Sequence, residues 1–234
     1  MPRAFVTMSD SETDMHLDKL GLALPTYLGQ VACRTFIPDT QNPSITKQMN
    51  IRGDFFRDSV PYLQPGFGGF FTSATGETDS GADRSVQYAI EFPLGTITQA
   101  KVGASDTLVV PSGADKVFFD KMYPPVPYAK WPRSAQFWHR TFQECSAGIV
   151  FSSSYKSYGL LLDRVHTSNA AVNGTMDPAY AGGSLGGNPF GPYCLVGPTT
   201  RPSLAAVGDS KFNGGTMTSN STPYCGEIQG AFAP

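Results

Sequence analysis

Apolar and polar residues alternate along much of the chain, and the alternation is cleanest from Ser85 to Phe92. Val86, Tyr88, Ile90 and Phe92 fall on one face there, while Ser85, Gln87 and Glu91 fall on the other. That period of two belongs to a β-strand. Shorter runs rich in β-branched and aromatic residues predict further strands at Thr96 to Val102, Thr107 to Val110, Lys116 to Phe119, Ala135 to Phe142, Gly148 to Phe151 and Tyr158 to Leu162. Turn residues punctuate these runs at short intervals, among them Pro38-Asp39, Asn42-Pro43, Gly53-Asp54, Pro65-Gly66, Gly68-Gly69, Gly95, Gly103 and Gly113. The spacing predicts a mainly β chain built as a β-sandwich of jelly-roll type. Pro124-Pro125-Val126-Pro127 has to run extended outside any central ladder. Residues 168–192 carry Gly174, Asp177-Pro178, Gly182-Gly183, Gly186-Gly187 and Asn188-Pro189. A loop of that length has a task or is held by a neighbour.

The two ends have a different pattern. Residues 1–43 are expected to form an N-terminal arm, in which Ser11-Glu12-Thr13-Asp14 caps a short helix through Met15, Leu17, Leu20 and Leu22, and Pro25 and Gly29 end it. Residues 44–200 are the sandwich. In residues 201–234 a continuous apolar run, Ser203-Leu204-Ala205-Ala206-Val207, leads into Gly208-Asp209-Ser210, with a helix start from Cys225 to Ala233. This is a buried parallel strand followed by a Gly-rich loop, the opening of an α/β layer.

Composition narrows the function classes. Charged residues are 15% of the chain, against roughly 25% in an average soluble domain, so much of the surface is neutral. With 16 Phe and 10 Tyr, such a surface is readily desolvated against other subunits. A net charge of −2 gives no footprint for a phosphate backbone, which argues against nucleic acid. No segment has the length and apolarity of a membrane span. Met1 to Thr7 run straight into the polar Ser9 to Asp14 without the apolar stretch of a secretory signal. The expectation is synthesis in the cytoplasm, with an extracellular particle surface reached by release. Cys33, Cys145, Cys194 and Cys225 stand far apart, and with three His in the chain no local metal-ligand spacing arises. They are either buried free thiols or surface thiols that cross-link subunits after release. No cofactor is implied.

Ser210, preceded by Asp209, is the one nucleophile candidate, since a Ser at the tip of a buried strand can expose its Oγ beside its own N–H. Leu204-Ala205-Ala206-Val207-Gly208-Asp209-Ser210 resembles the first block of the SGNH, or GDSL-like, hydrolases. Lys130-Trp131-Pro132-Arg133, Gly191 to Gly197 and Arg201-Pro202-Ser203 are similar to the β-rich segment preceding that domain in proteins of bacteria and their phages. The resemblance implies Ser210 as nucleophile and its N–H as an oxyanion donor. It also implies a later Gly-x-Asn-Asp block and an Asp-x-x-His, which the 24 residues after Ser210 do not contain. Asp163-Arg164-Val165-His166 has the second spacing but precedes the Ser, and reads as coincidence. A Ser hydroxyl without a general base loses several orders of magnitude in rate.

His139, in an alternating strand, is expected to be a half-buried strand residue, and Arg52-Gly53-Asp54 a turn into a strand instead of an adhesion site. Two function classes follow. The first is a structural subunit of a virion surface, such as a phage collar, tail, fibre or capsid decoration, assembled through protein–protein contacts as a homo-oligomer. The alternative is the leading part of an SGNH-type serine esterase or deacetylase. A glycan-binding module is a third option, permitted by exposed Tyr and Trp residues.

Overall fold

A computed structural model of the chain describes residues 26–32, 35–73, 76–152, 163–185 and 187–200. These residues form fifteen strands and no helix: β1 (Tyr27–Gln30), β2 (Thr40–Asn42), β3 (Lys47–Phe55), β4 (Gln64–Phe67), β5 (Phe70–Ser73), β6 (Gly76–Asp79), β7 (Arg84–Glu91), β8 (Ile97–Gln99), β9 (Leu108–Val110), β10 (Val117–Phe118), β11 (Gln136–Cys145), β12 (Ile149–Phe151), β13 (Arg164–Thr167), β14 (Ser184–Leu185) and β15 (Cys194–Thr199). All pairings are antiparallel. One sheet runs β14-β13-β3-β11-β7-β8, with β9 also on β7; a second runs β1-β15-β4-β10; β12-β2 and β5-β6 are two-stranded ribbons. The molecule is mainly β, with open sheets and no closed barrel, as a β-sandwich requires.

The central strands β3, β11 and β7 place their side chains by register, since directly opposed residues share a face. Asn50, Thr141 and Tyr88 are opposed across the three strands, as are Arg52, His139 and Ile90. This face therefore carries Gln48, Asn50, Arg52 and Asp54 from β3, beside Val86, Tyr88 and Ile90 from β7. It packs on the main core, where Phe67 of the second sheet lies 5.9 Å from Tyr88 and 5.7 Å from Phe190. The opposite face carries Met49, Ile51, Trp138 and Phe142, and is covered by Ala171 and Tyr180 of the long loop. The sheet is thus buried on both sides, once by a sheet and once by a loop.

Strand expectations in the middle of the chain hold. Val86, Tyr88 and Ile90 are fully buried on one face of β7 and Phe92 follows at 6% exposure; β8 to β12 lie within or beside the predicted runs. Residues 123–130 join no strand. Two turn expectations are overturned. Gly53-Asp54 is interior to β3, because Gly53 opposes Trp138 and donates its N–H to Asp163 Oδ1 at 2.8 Å. Pro65-Gly66 is interior to β4, where Pro65, lacking a donor, still accepts from Phe119 N at 3.1 Å. At Asn42-Pro43 the expected turn forms as β2 ends: Asn42 O accepts from Ile45 N at 3.4 Å and Asn42 Oδ1 from Ser44 N at 3.0 Å. Two strands, β1 and β2, come from the stretch expected as an arm; β1 pairs with β15 from Tyr27–Thr199 to Gln30–Val196. The predicted helix at 15–22, the strand at 158–162 and all of 201–234 lie outside the described residues.

Candidate functional site

Strand β3 concentrates the polar chemistry. Its sequence alternates Gln48, Asn50, Arg52 and Asp54 with Met49, Ile51 and Gly53, and the polar row, not the apolar one, faces the sandwich core. All four polar residues are buried. The reason is what lies against them. The chain from Asn188 to Gly191 crosses this face, and buried backbone must find partners. Gln48 Nε2 donates to Asn188 O at 2.7 Å, Asn50 Oδ1 accepts from Phe190 N at 3.1 Å, and the Arg52 guanidinium packs on Gly191. Gln143 Nε2 continues the row, donating to Gln48 Oε1 and to Val150 O, each at 2.7 Å.

Asp54 opens a chain of three groups. Asp54 Oδ2 lies 3.0 Å from His139 Nε2, and His139 Nδ1 lies 2.6 Å from the Tyr88 hydroxyl. Burial pushes the Tyr88 hydroxyl well above its usual 10.0, with Arg52 opposing and Asp54 adding to the rise. Tyr88 thus keeps its proton and donates it to Nδ1, which leaves Nε2–H to donate to Asp54. Hydroxyl, imidazole and carboxylate stand in the order of a catalytic relay. All three are at most 1% exposed, so no substrate reaches the oxygen, and the chain ties β3, β11 and β7 together. His139 is thus fully buried, not half-buried, because both ring nitrogens have partners inside the core.

On the other face, Arg140 and Glu91 form a buried ion pair at 2.6 Å. Arg140 Nε donates to Thr175 O at 2.9 Å and Nη2 to Gly174 O at 2.8 Å and to Asp177 O. Glu91 Oε1 accepts from Gly95 N at 2.8 Å. One guanidinium therefore anchors the long loop to the sheet. The neighbour that holds this loop is the chain itself. Sequence reasoning missed this pair, although Arg140 stands between Trp138 and Phe142 on an apolar strand face, a place where a cation needs partners.

A cleft of about 410 Å³ opens beside β13 and is lined by Asn42, Phe151, Val165, His166, Thr167, Gly183, Ser184, Gly187 and Asn188. Gly183 holds φ +80°, and a Cβ there would stand 2.4 Å from Val165 O, so glycine is required where the loop turns against the strand.

Ser210 and Asp209 lie outside the described residues, as do Cys33 and Cys225. Cys145 and Cys194 are free thiols. Cys145 is 3% exposed and closed to a thiol of another subunit; Cys194 is half-buried, and burial raises its pKa from 9.0 against the opposing Lys116 and the Gly66 backbone bond. Asp163-x-x-His166 is no relay: Asp163 Oδ1 binds Gly53 N, while His166 Nδ1 lies 3.0 Å from the Tyr180 hydroxyl. Arg52-Gly53-Asp54 is buried mid-strand and inaccessible to a receptor. Both Trp residues, Trp131 and Trp138, are buried, which removes them from any exposed glycan platform. No three His, Cys, Asp or Glu converge on a metal site among the described residues.

No protein-family model and no curated protein matches the chain.

Proposed function

We propose that the chain is a structural subunit of a larger assembly, of the virion-surface kind, working through protein–protein contacts with further copies of itself. The observation that carries this is a division of labour among side chains. The strongest polar groups of the sandwich, Asp54, Arg84, Glu91, His139 and Arg140, are buried, while large apolar groups stand in solvent. Val126 is 95% exposed, Leu94 67% and Tyr123 60%. They stand on adjoining segments: Tyr128 packs on Phe92 at 5.1 Å, next to the turn that carries Leu94, and Tyr123 packs on Tyr62 at 6.2 Å. An apolar patch of this sort, rimmed by Lys121 over the Tyr62 ring at 4.3 Å, marks a contact surface.

Light scattering on the full chain over a wide concentration range tests the reading. The expected mass is a multiple of 25.1 kDa, and Val126→Asp with Tyr123→Asp shifts it toward the monomer at unchanged melting temperature. A lone monomer at every concentration, with and without reductant, overturns the proposal. So does hydrolysis of an aryl acetate that Ser210→Ala abolishes, which would favour the esterase reading.

A further inference from the structure

We propose that the cleft beside β13 binds a neutral, polyhydroxylated ligand, the exposed end of a glycan. Its volume of about 410 Å³ falls within the roughly 300–1,000 Å³ of small-molecule sites. Its lining carries no Lys, Arg, Asp or Glu; Arg164, on the same strand, turns to Ala181 O at 3.3 Å. A charged ligand would find no counter-charge there. A purely apolar ligand would strip water from four polar side chains, Asn42, Thr167, Ser184 and Asn188, without replacing their bonds.

Two polar side chains of the lining are oriented by one bond and leave a second valence open. Thr167 Oγ1 accepts from Gln48 Nε2 at 3.0 Å, which leaves its O–H to donate. Asn42 Oδ1 accepts from Ser44 N at 3.0 Å, which leaves its NH₂. Ser184 and Asn188 add an exposed hydroxyl and an exposed carboxamide. Donors and acceptors are thus mixed around an apolar patch supplied by Phe151 and Val165. A sugar presents hydroxyls that both donate and accept, together with apolar C–H surfaces, and matches that set. The cleft shares no lining residue with the apolar patch around Val126.

Saturation-transfer NMR on the full chain tests this, with N-acetylglucosamine, galactose and mannose as probes and glucose 6-phosphate as the charged competitor. At least one neutral sugar is expected to receive saturation. Asn188→Ala and Ser184→Ala, at exposed positions, are each expected to weaken it about fivefold, the worth of one net hydrogen bond, at unchanged melting temperature. Three results overturn the proposal: no transfer to any neutral sugar, equal binding of the phosphorylated one, or an affinity untouched in the Asn188→Ala, Ser184→Ala double variant.

Discussion

The two faces of the central sheet solve the same problem with opposite materials. On the core side, β3 presents Gln48, Asn50, Arg52 and Asp54 to a sandwich interior, where an apolar row would be the simpler choice. On the outer side it presents Met49 and Ile51 to a loop, where solvent-facing polar residues would be ordinary. The difference follows from what each face must receive. The core face receives bare backbone at Asn188 to Gly191, whose amides and carbonyls need side-chain partners. The outer face receives Ala171 and Tyr180, whose apolar surfaces need matching carbon. Polarity of a strand face is thus set by the partner, and a strand reads as inverted when loops, not sheets, lie against it.

The outer face is the easier to break, because one buried side chain, Arg140, holds three of the loop's carbonyls. Arg140→Met leaves Glu91 buried without its cation and the carbonyls of Gly174, Thr175 and Asp177 without their donor. Losing one partner of a buried pair costs about 3–5 kcal/mol, which thermal unfolding should register as the largest loss of any single substitution in the sheet. Limited proteolysis separates this from a general loss of stability: cleavage should appear within 171–180 at temperatures where the rest of the chain resists. A variant as stable and as protease-resistant as the parent would mean that apolar cover alone holds the loop.

On the core face the load is spread, so the expected effect is smaller. Gln48→Leu keeps the volume, strands Asn188 O without its donor and takes from Gln143 Nε2 one of its two acceptors, leaving Val150 O. A buried group left unsatisfied costs about 1–3 kcal/mol. Chemical denaturation should show a lower midpoint with the same slope. A change below that range would show that water reaches the row.

The sequence made one face of this sheet legible and hid the other. Strand β7 was visible because its partners on the core side are apolar, so Val86, Tyr88 and Ile90 alternate with polar residues in the ordinary sense. Strand β3 was hidden because Gly53-Asp54 carries turn chemistry, and only the distant Asp163 carboxylate and the Trp138 register make an extended Gly there favourable. Pro65-Gly66 misled for the same reason: its local preference for a turn is outweighed by β15 and β10 on either side. Of the site chemistry, the isolated position of His139 was legible, but its partners were not, since Asp54 and Tyr88 stand 85 and 51 residues away in sequence. The anchor at Arg140 left one trace, a cation in a strand otherwise made for burial.

The finest separation of the two faces is alkaline. Tyr88 on the core face and Tyr180 on the outer one both have pKa values raised by burial, Tyr88 the more strongly. A raised tyrosine pKa means that the folded state keeps a proton the unfolded chain gives up. The contribution is therefore complete below pH 10, and stability falls as pH climbs from there toward the folded pKa. For the fully buried Tyr88 the slope in that window is about 1.4 kcal/mol per pH unit. Tyr88→Phe removes it: the variant is less stable at neutral pH, because His139 Nδ1 loses its donor, yet its stability declines less steeply above pH 10. Tyr180→Phe, at a half-buried position, should flatten the curve much less. Denaturant midpoints measured from pH 8 upward decide the matter, and parallel curves for the parent and Tyr88→Phe would show that the core-face hydroxyl ionises as freely as an exposed one.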